Sequence, residues 1–264
     1  MEQLCRRLKE TGGVLVAFSG GVDSTFLLKT AREVLGERVL AVTAVSATYP
    51  DEERRAARRL ARSFGVEQLE VETDEWNDPR FRANSPSRCY HCKKHLFRRL
   101  SGLAAERNLV LVDATNYSDR LDYRPGDRAA RLYRVRRPLL EAGLTKADIR
   151  LFSRRLKLAT ADKPAAACLA SRIPYGIGLT RSRLRAVAEG EACLRRLGFK
   201  GNLRLRHHGS VARLEIDPEF FQRALRFRRA ICRSLGRLGF PHVTLDLEGY
   251  RTGSLNRGLE RAKK

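Results

Sequence analysis

The chain has 264 residues, 42% hydrophobic and 31% charged, enough for one large domain or two modest ones around a sizeable core. No apolar stretch approaches the roughly 20 residues that span a bilayer, and Met1-Glu2-Gln3-Leu4-Cys5 opens no secretory signal, so a cytoplasmic protein with no membrane partner is expected. The formal charge of +23 is spread along the chain with few aromatics interleaved, so it is read mainly as favouring small anionic substrates, with nucleic acid the lesser reading.

Residues 1–13 read as a short helix. Val14-Leu15-Val16-Ala17-Phe18 is an apolar, β-branched run of strand length, stopped by Ser19-Gly20-Gly21, after which Phe26, Leu27, Thr30 and Val34 recur at helical spacing. A second strand is expected over Val39–Val45. Asp51-Glu52-Glu53 then opens a helix with Arg54, Arg55, Arg58, Arg59 and Arg62 along one face, ended by Gly65. A third strand spans Glu67–Glu72. A loop with Trp76, Pro79 and Pro86 leads to Cys89, a helix runs to about 107, and a fourth strand covers 109–114. Strands alternating with helices imply an α/β fold, a doubly wound parallel sheet that binds ligands at the carboxyl ends of its strands. A fifth strand is expected at 134–139 and a helix at 144–156 with Thr145 near its start.

The break at Asp162-Lys163-Pro164 and the irregular stretch 168–176 place a domain boundary near 170–180, giving a nucleotide domain over 1–175 and a smaller α+β unit over 176–264. In the second part a helix (about 180–198) precedes strands at 202–207 and 211–216 around Gly209, a hairpin signal. A helix over 218–238 and a strand over 241–247 complete it.

The turn after the first strand is the strongest functional signal. Its glycines let the backbone approach a ligand, and the helix that follows offers unpaired N–H groups to an anion. No Gly-Lys-Ser/Thr follows at Walker spacing, and the glycines do not fit the dinucleotide fingerprint. Ser19-Gly20-Gly21-Val22-Asp23-Ser24 resembles the pyrophosphate loop of the N-type ATP pyrophosphatases. The nucleotide-binding candidates are Ala17, Ser19, Gly20, Gly21, Asp23 and Ser24. Asn116, in Thr115-Asn116-Tyr117-Ser118-Asp119 after the fourth strand, is expected at the same edge. Asp23 either caps the helix or orients a magnesium-bound phosphate.

Six cysteines in such a chain favour reduced thiols over a disulfide framework. Cys5, Cys193 and Cys232 sit singly in helical patterns and are expected to be buried structural residues. Arg88-Cys89-Tyr90-His91-Cys92-Lys93 holds a Cys-x-x-Cys at a helix start, where the helix terminus and the flanking charges favour thiolate. A lone pair leaves redox, metal-binding and incidental roles open. With Cys168 it makes three thiols, a set that can hold a [4Fe–4S] cluster with one iron open. Cys168, in a loop closely followed by Arg172, suits a nucleophile, while taken alone it reads more readily as a buried structural thiol. Arg204 and Arg206 alternate on one strand face, either as a phosphate fork or as solvated charges.

Taken together these motifs resemble the LarE family, ATP-dependent sulfurtransferases that act as pyridinium-3,5-bisthiocarboxylic acid mononucleotide synthases. The resemblance runs over nearly the whole chain and rests on Ser19-Gly20-Gly21-Val22-Asp23-Ser24, Arg88-Cys89-Tyr90-His91-Cys92-Lys93, Asp122-Tyr123-Arg124-Pro125-Gly126, Arg137-Pro138-Leu139, residues 168–176 and Arg204-Leu205-Arg206-His207-His208. It implies that ATP, with Mg2+, adenylylates each carboxylate of pyridinium-3,5-dicarboxylate mononucleotide. Sulfur then displaces AMP, in synthesis of the nickel-pincer cofactor of lactate racemase. It implies catalytic roles for Asp23 and Cys168, and substrate-phosphate contacts for Arg172, Arg204 and Arg206. Sulfur comes in this family either from a lone cysteine, matching Cys168, or from a [4Fe–4S] cluster, matching Cys89, Cys92 and Cys168; three thiols resemble the cluster branch. A sulfide or other sulfur donor and a homo-oligomer are the expected partners. A tRNA thiolase, an ammonia-fed amide synthetase and a non-catalytic nucleotide-binding module are the competing readings.

Overall fold

The computed structural model describes residues 1–121, 124–164, 168–251 and 253–256. The chain forms two compact units, one of Met1–Phe81 with Pro86–Ala166, the other of Arg82–Ser85 with Ala167–Lys264.

In the first unit α1 (Glu2–Lys9) buries Leu4 and Leu8 and delivers the chain to β1 (Val14–Ala17). The Ser-Gly-Gly turn leads into α2 (Val22–Leu35), then β2 (Val39–Val45), α3 (Asp51–Ser63) and β3 (Glu67–Glu72). The one-turn α4 (Pro79–Arg82) is followed by α5 (Arg88–Glu106), β4 (Val110–Val112), α6 (Gly126–Leu132), the one-turn α7 (Pro138–Glu141) and α8 (Lys146–Arg155). The four strands are parallel, in the order β3-β2-β1-β4, with Leu15 opposite Leu40 and Leu111. Because side chains alternate along a strand, each strand feeds two cores. Val14, Val16, Val39 and Ala41 pack with α1, α2, α3 and α8 on one face. Leu15, Leu40 and Val42 pack with Phe97, Leu100 and Ala104 of α5 on the other. This is the doubly wound α/β sheet the alternation implies.

The strand expected at 134–139 is absent as such. Arg136 makes only an isolated parallel bridge to Val112, because Arg134 turns the backbone left-handed (φ 50°) and Pro138 starts α7.

In the second unit Thr180 caps α9 (Arg181–Arg196) by accepting from Arg183 N at 3.1 Å. β5 (Leu203–His208) and β6 (Val211–Ile216) form the expected antiparallel hairpin around Gly209 (φ 67°). The single helix expected over 218–238 is instead a 3-10 turn, α10 (Phe221–Arg226) and α11 (Arg228–Gly236), interrupted at Phe227. β7 (His242–Leu245) pairs parallel to β6. The core is Phe199, Leu205, Leu214, Ile231, Leu235 and Phe240. Among the described residues no helix is long and apolar enough to cross a membrane.

Candidate functional site

β1 lies between β2 and β4, the point at which strand order reverses, so its carboxyl end opens on the crevice where such sheets bind ligands. The turn beyond it is pinned by its neighbours. Phe18 N donates to Val42 O (2.8 Å), Thr43 Oγ1 to Phe18 O (2.9 Å), Tyr49 OH to Ser19 O (2.6 Å) and Lys163 Nζ to Gly20 O (3.1 Å). Burial, with Glu53 and Glu70 nearby, pushes the Tyr49 phenol far above its ordinary range, so it stays a donor. Gly20 is left-handed (φ 61°), and a Cβ there would sit 3.1 Å from Ala57 of α3. Gly21 is extended, and a Cβ there would meet nothing nearer than Ser19 Oγ at 3.5 Å. Packing demands the first glycine; at the second it leaves an open cradle beside the start of α2.

Asp23 is not a helix cap. Gly21 is the N-cap residue, with no side-chain cap bond, and Asp23 Oδ2 accepts instead from Lys146 Nζ at 2.5 Å. Its other oxygen, Oδ1, is buried with no hydrogen bond. Ser24 Oγ lies 3.1 Å from Ser19 Oγ.

These residues open on a cleft of about 280 Å³ lined by Ala17, Ser19, Gly21, Asp23 and Ser24 together with Lys93, Phe97, Asp113, Thr115, Asp119 and Arg124. A larger groove, about 690 Å³, runs along Arg58, Arg62 and β3 and touches none of them. Asp113 Oδ1 accepts from Thr115 N at 2.9 Å, while Oδ2 is buried without a hydrogen bond, 3.7 Å from Lys93 Nζ. Two buried carboxylate oxygens that accept no hydrogen bond, in one cleft, fit a magnesium ion, which takes one or two carboxylates and completes its shell with phosphate and water. Asn116 is buried, its Oδ1 accepts from Asp119 N at 3.3 Å in the local turn, and its neighbours Thr115 and Asp119 line the cleft. Of Asp122-Tyr123-Arg124-Pro125-Gly126, residues 122–123 lie outside the described residues; Arg124 lines the cleft and pairs with Asp119 at 2.5 Å.

Cys89 and Cys92 stand three residues apart on the first turn of α5, hence on one helix face. Lys93, expected as a charge beside these thiols, lines the cleft at the Ser-Gly-Gly turn and lies over the Phe97 ring at 5.4 Å. The helix start is anchored by a buried carboxylate: Asp78 accepts from Arg80 Nε and Nη2 (both 3.0 Å), and His95 bridges Asp74 (2.7 Å) and Asp78 (3.3 Å). The Arg80 guanidinium holds the Asp78 carboxyl far below the usual carboxylate range.

Cys168 is exposed, against the alternative of a buried structural thiol, and Cys232 is exposed where burial was expected; Cys5 and Cys193 are half-buried. Cys89 and Cys92 belong to the first unit and Cys168 to the second. Among the described residues no three His, Cys, Asp or Glu side chains form a ready-made metal site. Three thiolates are the donor number of a cluster with one open iron.

Arg172, Arg204 and Arg206 are all buried, which removes the solvated reading of the β5 face. Arg172 forks onto Glu191 (2.9 and 3.0 Å) and donates to Cys168 O at 3.2 Å. Arg206 donates to Glu215 (2.8 Å) and to Ser171 O (2.6 Å), and its Nε is buried without a partner. Arg204 lies over the Tyr250 ring at 5.2 Å; burial, then Arg172, lower its pKa. Guanidinium groups are the side chains best matched to phosphate, and three of them lie buried around the Cys168 turn.

Lys146, Lys163 and Asp113 escape the sequence reading. For Lys146 a signal exists: Thr145 and Asp148 make a capping box, which fixes Lys146 at the first helical position.

The sequence model of the asparagine synthase family matches residues 2–83. The chain is 38% identical over 262 residues to the pyridinium-3,5-bisthiocarboxylic acid mononucleotide synthase of Lactiplantibacillus plantarum, covering 98% of this chain and 95% of that protein. It is 40% identical to an uncharacterized Synechocystis protein over 98% of this chain and 97% of the other. An uncharacterized Methanocaldococcus jannaschii protein shares 27% identity over 90% and 91%.

Proposed function

This chain belongs to the LarE family of ATP-dependent sulfurtransferases, and we propose that it converts both carboxylates of pyridinium-3,5-dicarboxylic acid mononucleotide to thiocarboxylates for the nickel-pincer cofactor. The observation that carries this reading is the turn at Cys168. An exposed thiol has its own carbonyl held by Arg172, within a buried cluster of guanidiniums suited to a nucleotide's phosphate.

The chemistry follows from the groups present. ATP lays its phosphates against Gly21 and the first turn of α2, whose free N–H groups and dipole bind anions. Asp23 and Asp113 would hold magnesium, which supplies charge neutralisation on the phosphates when bound. A substrate carboxylate oxygen attacks the α-phosphorus and pyrophosphate leaves. The acyl adenylate then has a good leaving group where the free carboxylate had none. Sulfur attacks its carbonyl carbon, the C–O bond breaks, and AMP departs with the electron pair. Arg172, Arg204 and Arg206 anchor the substrate phosphate and so orient the ring for two successive attacks.

Two sulfur sources are compatible with Cys168. Cys89, Cys92 and Cys168 would hold a [4Fe–4S] cluster that supplies sulfide. Alternatively Cys168 Sγ attacks directly and its Cβ–Sγ bond breaks with loss of the α-proton, leaving dehydroalanine. The three thiols favour the first. A cytoplasmic homo-oligomer fed by a sulfur donor completes the reading.

The deciding experiment is the intact mass of anaerobically prepared protein before and after turnover, with iron assayed alongside. Unchanged mass with about four irons per chain supports the cluster; loss of the elements of hydrogen sulfide at Cys168 without iron supports the sacrificial route. Product with neither signature overturns the assignment of the three cysteines.

A further inference from the structure

Between Phe81 and Pro86 the chain leaves the first unit, and Arg82–Ser85 belong to the second. One side chain fixes this excursion. Asn84 is completely buried, and its backbone is left-handed (φ 54°), a conformation asparagine tolerates better than most residues. Its Nδ2 lies 2.8 Å from Pro174 O, 2.8 Å from Ile177 O and 3.3 Å from Ile173 O, so two amide hydrogens serve three carbonyls. Gly176 N donates to Asn84 O (3.2 Å) and Leu179 N to Arg82 O (2.8 Å).

The segment gripped in this way, 173–179, lies in no helix or strand, so its carbonyls have no ladder to pair with and need side-chain donors. It continues directly from the turn at Cys168, whose carbonyl accepts from Ser171 N (2.9 Å) and from Arg172. In the other direction the chain reaches Cys89 five residues after Asn84. Within the second unit, Asn84 therefore fixes the loop that continues from the turn bearing Cys168. An aspartate of the same shape would set carboxylate oxygens against carbonyl oxygens, which only an amide can bridge.

We propose that Asn84 is a positioning residue for sulfur transfer, holding the loop that follows Cys168 in place, so that the sulfur step depends on it and adenylylation does not. This rests on the sulfurtransferase reading above.

The test uses the full chain with ATP, magnesium and the pyridinium dicarboxylate mononucleotide. Asn84→Gly keeps the left-handed backbone and removes the amide; Asn84→Asp keeps the shape and removes the donor. Three quantities are read: pyrophosphate released, thiocarboxylate formed, and amide exchange in peptides covering 171–180 and 203–216. The expected result in both variants is pyrophosphate release within about twofold of the parent and thiocarboxylate lower by at least about tenfold, since small misplacements of reacting groups cost rates of that order. Exchange accelerates over 171–180 and stays unchanged in the hairpin. Equal loss of both steps, no loss of either, unchanged exchange over 171–180, or acceleration that spreads to the hairpin overturns the proposal. Absence of pyrophosphate release in the parent protein would sink the functional reading instead, and the exchange measurement then still decides the clamp.

Discussion

The ammonium of Lys146 lies 2.5 Å from Asp23 Oδ2, joining the first residue of α8 to the phosphate loop across 123 positions of sequence. The contact explains how the carboxylate is held with one oxygen engaged and the other empty-handed in the cleft. Both side chains are about a quarter to a third exposed, so the pair contributes at most about 1 kcal/mol to stability. Asp23→Ala should leave the melting temperature nearly unchanged while lowering substrate-dependent pyrophosphate release by about 100-fold or more. Lys146→Met, which spares the carboxylate, should raise KM for MgATP and retain measurable release. Adenylate formation at the parental rate in Asp23→Ala would contradict the site.

The two loop glycines should separate in their effects. Gly20→Ala forces a left-handed alanine against α3, a cost of roughly 1–2 kcal/mol before any displacement of Ala57. It should appear as a lower urea midpoint. Gly21→Ala meets no such obstacle, so its stability should match the parent while ATP binding, followed by calorimetry, weakens.

Glu215 accepts from both Arg206 and Arg213, each at 2.8 Å, and it is fully buried. Removing it strands Arg206 without its counter-charge. Glu215→Ala should destabilise the second unit by about 3–5 kcal/mol, and Glu215→Ala with Arg206→Met should recover part of that loss. Unfolding followed by circular dichroism checks both.

Burial pushes His207 and His208 below the ordinary imidazole value, with Arg183 adding to the first and Arg213 to the second. His207 Nδ1 accepts from Gly209 N at 3.2 Å, a bond only the neutral ring can make. Below about pH 6.5 the unfolded chain takes up protons that the folded rings resist, so stability falls as pH drops through that region. Melting curves between pH 7 and 5 should show the fall, and a His207→Gln, His208→Gln protein should show a shallower one.

The sequence yields what is local. β1, the Ser-Gly-Gly turn and α2 are adjacent in the chain and announce themselves by composition and period, and the alternation of Arg204 with Arg206 correctly puts both on one face. It yields much less about what distant segments impose. Arg136 looks like strand until Pro138 begins a helix, and the Arg206–Glu215 bond depends on a register offset of two across the hairpin. Lys146 at Asp23 and Asn84 at Pro174 are single side chains meeting partners 123 and 90 positions away, and no periodicity encodes such meetings.

The buried arginines carry one more consequence. Arg172 forks onto Glu191, and Arg206 shares Glu215 with Arg213. A folded state whose buried guanidiniums share carboxylates in this way gains stability from any small anion that binds among them, by the same mass action that couples every ligand to the form that binds it. The choice of buffer thus becomes a thermodynamic variable for this protein. With these arginines as the proposed substrate-phosphate site, phosphate or sulfate would raise its melting point and compete with the substrate at once, whereas an uncharged or cationic buffer would do neither.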